Sequence, residues 1–485
     1  MPAPWVVEEM KTADLKDQRL NHRLREVLAH LAARPAASIP AACGGGRADV
    51  EAAYRFFANE KVTFDEVLRP HLDATQERID GQAVVILTQD TTELDLTRPE
   101  QQVAGAGPLD NGSRRGVLLH EMHAFTPDGT PLGTVHAVPW ARTDDEVRAS
   151  ARAQRARIPI EEKESYRWVI ALREADALAR RHPQTQIVCV ADSEADIYEL
   201  LAEAGAESQS AEWIVRACQN RALRREQAAN TGTDAAARYL REALLEQPML
   251  FSKTITVRGR TPKVSCETRG RRQARQSREA DVEVRAARVV LRAPWRPDRT
   301  LPDVAVNAVL VREVDPPKGE EPVEWLLLTS LPIDDAEAVR RVIEYYCVRW
   351  MVEVFFRVLK AGCRIEDRRF EHVDRLLACL AVYLTVSWRT LYVCRLGREF
   401  PDLDCEAVFE PAEWKSVYQV LHRKRPPRMP PSLAEMVRMV AQLGGYVNRQ
   451  RSDPPGPQTV WQGLQRLHDI TLCWETFGPG ATGDP

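Results

Sequence analysis

The sequence predicts an α/β fold with helical parts at both ends, and three observations carry that prediction. Short apolar runs, each long enough for one buried strand, alternate with longer helix-patterned stretches between residues 83 and 216. Residues 250–315 are rich in Val, Thr and Arg and read mostly as strands. Before residue 75 and after residue 373 the patterning is helical throughout.

In chain order, Asp14 is placed to cap a helix running to Leu31, with Leu15, Leu20, Leu24, Val27, Leu28 and Leu31 as its apolar stripe. Arg34-Pro35 ends it. The glycines at 44–46 break the chain before a second helix, Ala48 to Asn59, which carries Tyr54-Arg55-Phe56-Phe57. Ala83 to Leu87 suits a buried strand ending at Asp90. Gly116–Phe125 and Gly133–Val138 flank the turn sequence Thr126-Pro127-Asp128-Gly129, a hairpin signal. A helix from Lys163 to Arg181, a buried strand from Gln186 to Val190 ending at Asp192, a helix from Glu194 to Ala204 and a strand from Glu212 to Arg216 follow. Val323–Leu328 is a further strand, and Asp334 or Asp335 caps one long helix after it. From Val373 the helical pattern is interrupted at Arg425-Pro426-Pro427 and at 453–457, and the last residues, 478–485, read as frayed.

Bulk composition narrows the function classes. The chain has 485 residues, 44% hydrophobic and 28% charged, which is ordinary globular composition. It contains no run of about 18 apolar residues and no basic-then-apolar leader, so a cytoplasmic protein is expected. Ten cysteines are scattered without a CxxC pair, which points to reduced structural thiols rather than to a zinc site or a disulfide frame. The net charge of −3 argues weakly against nucleic-acid binding, but it conceals asymmetry. Lys253 to Arg299 holds fourteen Lys/Arg against five Asp/Glu, and His422-Arg423-Lys424-Arg425 forms a second basic knot near Arg428.

The most informative segment is Tyr346 to Lys360, YCVRWMVEVFFRVLK. With Tyr346 at zero and about 100° per residue, Arg349 falls near 300°, Trp350 near 40°, Glu353 near 340°, Arg357 near 20° and Lys360 near 320°. These six residues occupy one stripe, and every other position is apolar. A surface helix has the inverse pattern. The helix is therefore expected to be embedded in protein with its one polar face turned to a site, and a largely buried Glu353 among Arg, Lys and Tyr needs a partner, for which a metal ion or a phosphate backbone would serve.

Two strand-end aspartates join that glutamate. In open α/β sheets, sites lie just past the carboxyl ends of strands. Asp90, Asp192 and Glu353 converging there need divalent cations to neutralise them. Mg²⁺ prefers such oxygen ligands. Two ions about 3.5–4 Å apart suit in-line phosphoryl displacement.

The stripe Tyr346-x2-Arg349-x3-Glu353-x6-Lys360 resembles the Y-R-E-K signature of the Tn-five-like DDE transposases of the insertion-sequence-four family. Asp90-Thr91-Thr92, Asp192-x-Glu194-x-Asp196-Ile197 and Trp325 to Ser330 (WLLLTS) resemble that family's other motifs. Ala52–Phe57, Leu443-Gly444-Gly445-Tyr446 and Trp461-Gln462-Gly463 match as well. Ser193 departs from the pattern, since relatives often carry a basic residue there.

The resemblance implies a ribonuclease-H-like catalytic core, residues 76–372, with a β-rich insertion at about 220–320 by that resemblance. It implies a helical DNA-binding domain at 1–75 that recognises the transposon end, and a helical dimerisation domain at 373–485. Asp90, Asp192 and Glu353 would be the catalytic triad binding two Mg²⁺, with Mn²⁺ as substitute. Tyr346, Arg349 and Lys360 would grip phosphates. Trp325 and Trp350 would hold a base flipped out of a DNA hairpin. Arg216 would contact DNA, and Arg23, Arg34 and Arg55 would hold the terminal inverted repeat. The expected partners are double-stranded DNA and a second copy of the chain as a homodimer. The expected function is cut-and-paste DNA transposition through a hairpin intermediate and 3′-end joining. An inactive DNA-binding relic or inhibitor, a two-metal endonuclease without strand transfer, and a metal-independent carboxylate hydrolase stay open at this point.

Overall fold

A computed structural model describes residues 3–44, 46–98, 102–110, 113–144, 158–205, 209–224, 239–257, 276–447 and 454–478. Residues 258–275, part of the basic stretch Lys253–Arg299, lie outside the described residues. Helices α1 (Pro4–Glu9), α2 (Gln18–Ala33), α3 (Ile39–Ala42), α4 (Arg47–Phe57) and α5 (Phe64–Asp80) come first. Strands β1 (Val84–Asp95), β2 (Gly107–Pro108), β3 (Arg115–Phe125) and β4 (Pro131–Trp140) follow. Next are α6 (Tyr166–Arg181), β5 (Gln186–Ala191), α7 (Tyr198–Ala204), β6 (Glu212–Arg216) and α8 (Leu240–Leu245). Then come β7 (Phe251–Val257), β8 (Arg278–Leu291), β9 (Val304–Glu313), β10 (Glu324–Thr329) and α9 (Ala336–Val348). The chain closes with α10 (Trp350–Arg357), α11 (Val373–Glu399), α12 (Pro411–His422), α13 (Leu433–Leu443) and α14 (Pro457–Phe477).

The chain divides into two units, residues 1–156 with 348–485, and residues 157–347. In the first, β1, β3 and β4 form an antiparallel meander. The β3–β4 turn is built as its sequence predicts: Thr126 N–H donates to Thr130 O at 3.0 Å, and Asp128 Oδ1 accepts from Thr130 N–H at 2.9 Å. Helix α11 is the core helix of this unit. It is long and apolar enough to cross a membrane, but 83% of its most apolar window is buried within the protein. A helix apolar all round is an interior helix.

Two further contacts explain sequence features of this unit. Gly444 and Gly463 sit where α13 and α14 touch backbone to backbone. A Cβ on Gly463 would lie 1.8 Å from Val440 O, and one on Gly444 1.9 Å from Thr459 O, so no larger residue fits. Helix α1 is pinned by its last residue, the buried Glu9, which accepts from His71 Nδ1 and from Arg78 Nη1 at 2.8 Å. His71 Nε2 in turn accepts the Thr134 N–H at 3.1 Å, which fixes the neutral Nδ1–H tautomer.

In the second unit, β5 and β6 are parallel, and β6, β10, β9, β8 and β7 continue as an antiparallel run. An antiparallel meander in one unit and a parallel pair joined through α7 in the other are the strand inventory of a ribonuclease-H-like core. The fold class is thus α/β with that core, and helical segments precede and follow it in the chain.

The structure corrects four sequence expectations. The α2 cap is Asp17 rather than Asp14, because Asp14 Oδ1 instead binds Lys16 N–H in a turn that puts Lys16 at φ 57°. Strand β1 does not end at Asp90 but continues to Asp95, since pairing with β3 runs through to Asp95↔Gly116. The helix expected from Glu194 begins at Tyr198, after a separate 3₁₀ turn at Ser193–Ala195. The single long helix loses regular hydrogen bonding at one residue, Arg349, whose φ of −49° and ψ of −34° stay helical, and it ends in a π-helical turn, Val358–Gly362. Its cap is Asp335, whose Oδ1 accepts from Ala338 N–H at 2.7 Å.

Candidate active site

Strand β1 presents Asp90 from its middle, with a side chain 17% exposed. Thr91 N–H donates to its Oδ1 at 2.7 Å. Helix α10 presents Glu353 from its first turn, 35% exposed, so the expectation of a largely buried glutamate is corrected. The more buried charge is Arg349, at 12%. Its Nη2 donates to Glu353 Oε1 at 2.9 Å, and its Nη1 lies 3.4 Å from Asp90 Oδ2. One guanidinium thus spans two carboxylates that come from distant parts of the chain. The planar fork of arginine suits this task as lysine would not.

The rest of the stripe is less uniformly embedded than its pattern predicts. Trp350 is 40% exposed, Cys347 and Arg357 are exposed, and Met351 and Val354 are half-buried. Lys360 sits within the π-helical turn, a local widening of the helix that recurs at functional sites. Its Nζ lies 3.9 Å from Glu366 Oε1. Burial lowers its pKa below the ordinary lysine value, although Glu366 and Glu93 pull the other way.

In the second unit, Asp192 follows β5 directly, as expected. Its Oδ1 caps the 3₁₀ turn by accepting Glu194 N–H at 2.8 Å. The neighbouring motif acid, Asp196, is structural: its Oδ2 accepts the N–H groups of Cys218 and Gln219, each at 2.8 Å, and Oδ1 accepts Arg221 Nε–H at 2.9 Å. Trp325 on β10 and Tyr346 on α9 are brought together, ring centroids 5.8 Å apart at 59°. Arg216, at the end of β6, donates to the Glu324 carbonyl at 3.2 Å. Tyr346 itself is buried.

The arginines expected to hold the transposon end all have acidic partners. Arg23 pairs with Glu26 at 2.8 Å and Arg55 with Glu51 at 2.9 Å. Arg34 reaches across 435 residues to Asp469 of α14, at 2.7 Å.

Asp90 and Glu353 supply hard oxygen donors of the kind Mg²⁺ and Mn²⁺ take, and the charge they share already demands a cation, a demand that Arg349 meets. Among the described residues no group of three or more His, Cys, Asp or Glu side chains is arranged to hold a metal ion. The nine described cysteines are free thiols. Sequence reasoning missed the bridging position of Arg349 and a buried pair on β3, Glu121 with His123. The signal for the pair was the polar alternation of His120-Glu121-Met122-His123 inside an otherwise apolar strand.

Three protein-family models match the chain. A transposase DNA-binding family covers residues 2–62, a transposase DDE domain family residues 171–386, and a Tn5 transposase dimerisation domain family residues 385–473. Among solved structures, the chain is similar to one described as a cryo-EM structure of the piggyBac transposase synaptic complex with hairpin DNA. Identity is 10% and the TM-score 0.33, over 83% of this chain and 61% of that one. The chain therefore spans less than two thirds of that neighbour's length.

Proposed function

The chain belongs to the Tn5-like DDE transposases, and from that premise we propose that it carries out cut-and-paste DNA transposition. In this reading it binds terminal inverted repeats, cleaves the transposon ends through a DNA hairpin and joins the 3′ ends to target DNA. The domains divide as 1–75 for end recognition, 76–372 for catalysis and 373–485 for dimerisation. The protein works in the cytoplasm on nucleoid DNA, as a homodimer when DNA-bound.

The observation that carries this reading is the Arg349 clasp on Asp90 and Glu353 within a matched signature. Asp90, Asp192 and Glu353 would hold two Mg²⁺, which activate the attacking oxygen and stabilise the leaving one when bound. The chain's own groups do the rest. Arg349, now committed to carboxylates, is placed to turn one N–H toward a phosphate at the scissile bond. Lys360 supplies a second cation nearby. Trp350, already exposed, and Trp325, tilted against Tyr346, offer aromatic faces for an extruded base, at about 1–3 kcal/mol per stacked base.

The test is cleavage of DNA carrying the element's own ends, with Mg²⁺, read on denaturing gels that resolve nicks, hairpins and joined products. Asp90→Asn and Glu353→Gln should each lower cleavage by about a thousandfold or more while leaving end binding in place. Undiminished cleavage by Glu353→Gln would falsify the triad. Nicking without hairpins would favour an endonuclease.

A further inference from the structure

Behind Asp90 lies a buried polar pair that the cleavage reading does not use. Glu121 and His123 stand on β3, both with wholly buried side chains. The register sets Asp90 opposite Glu121 and Thr88 opposite His123. Directly opposed residues of an antiparallel pair project to one face, so Glu121 and His123 share the face of Asp90. His123 Nδ1 donates to Glu121 Oε1 at 2.8 Å, and Thr134 Oγ1 on β4 donates to the same oxygen at 2.9 Å. The imidazole also lies against Phe355 of α10, ring centroids 4.5 Å apart at 43°. Phe355 is fully buried and stands two residues beyond Glu353. Two residues are about 200° of helix, so the face of α10 that seats on His123 is opposite the one that carries Glu353.

This pair comes at a cost. Glu121 Oε2 and His123 Nε2 are buried with no hydrogen-bond partner among the described residues. Apolar side chains of similar volume would fill the space without that penalty. What the polar pair adds is direction. Hydrogen bonds fix the imidazole plane relative to β3 and β4, and that plane is the seat of α10.

We propose that Glu121 and His123 are positioning residues: by fixing the seat of Phe355 they set where Glu353 stands relative to Asp90, and so tune the site for a divalent cation. The inference rests on the reading of Asp90 and Glu353 as metal ligands.

Mn²⁺ binding to the full-length protein, followed by the electron paramagnetic resonance of free Mn²⁺ beside thermal melting, separates the two. Glu121→Gln and His123→Leu should melt close to wild type yet bind Mn²⁺ about tenfold more weakly, the low end of what loss of a ligand-orienting residue costs. Met122→Leu, opposite Gln89 on the other face, should change neither. If Glu121→Gln does not fold, Thr134→Val decides, since it removes one hydrogen bond to Glu121 and should weaken binding by about threefold. A folded Glu121→Gln, or Thr134→Val in its place, that binds Mn²⁺ within about twofold of wild type overturns the positioning role alone. A wild-type protein that binds no Mn²⁺ overturns the metal reading beneath it.

Discussion

At the scale of single residues, the site is organised by charges held at some cost to stability. Lys360 shows this most directly. Burial holds its pKa below that of a free lysine, so the unfolded chain binds its proton more readily than the folded one does. Its contribution to stability therefore improves as pH rises through the folded pKa toward the ordinary lysine value, and is unfavourable at neutral pH. Lys360→Met should raise the melting temperature by about 1–2 °C. The same variant should bind end DNA about tenfold more weakly and reduce the salt slope of binding by about one. Melting curves and filter binding at several salt concentrations check both. A variant that lost stability and kept its DNA affinity would mark Lys360 as a structural lysine. Arg349 differs, because two carboxylates pair with it. Removing it would leave two carboxylates facing each other in a half-buried site.

At the scale of elements, the N-terminal helices are engaged within the first unit through specific ties. Tyr54 and Phe57 of α4 meet Phe370 edge-on at 6.2 and 5.6 Å. Arg368 donates to the carbonyls of Pro35 and Ala37. Arg34, a residue proposed to hold DNA, is occupied by Asp469. If Arg34 contacts the inverted repeat, Asp469 competes with DNA for it. Asp469→Asn should then tighten end binding, by no more than about fivefold because the pair is partly exposed. Gel-shift titration measures this, and equal affinity would remove Arg34 from the DNA contacts. The elements also show why a chain pattern can mislead locally. The stripe from Tyr346 to Lys360 holds as a pattern, but the regular helical hydrogen bonding lapses at Arg349 and the helix widens at Val358, and its members differ in exposure.

For the molecule as a whole, stability should depend on pH through the clasp that holds α1. Burial lowers the His71 pKa below 6.5, against the raising effect of Glu9. Burial raises that of Glu9, but the hydrogen bond and charge of His71, with Arg78, bring it below 4.5. In both cases the folded state binds its proton later than the unfolded chain does. Stability is thus lost first as pH falls below about 6.5, when unfolded His71 begins to charge. A second loss follows below about 4.5, as pH falls toward the folded pKa of Glu9. Protonating His71 at Nε2 would also cost the Thr134 N–H bond. The melting temperature should fall between pH 7 and 5.5, and His71→Gln should flatten that part of the curve. A wild-type curve flat over this range would rule the clasp out as the acid-sensitive element.

Much of this protein was legible in the sequence alone. Alternating apolar runs specified strands β1, β5 and β6, because buried strands require continuous apolar surface on both faces. The turn at Thr126–Gly129 was readable because short-range hydrogen bonds decide it, and the cap was narrowed to Asp334 or Asp335, between which the structure selects Asp335. Strand ends singled out Asp90 and Asp192 as candidates, and the spacing of Tyr346, Arg349, Glu353 and Lys360 put those four on one helix stripe, since three- and four-residue steps keep side chains on one helix face. Tertiary structure alone decided what those charges do to one another. That Arg349, beside Glu353 on one helix, reaches Asp90 across 259 positions of sequence depends on β1 and α10 packing together. That Glu121 and His123 lie on the face of Asp90 depends on a register set by long-range pairing. Gly444 and Gly463 read as motif residues until two helices are seen to meet there without room for a side chain. Local pattern fixes which residues are placed on a face, and only packing over long sequence separations sets which charge meets which.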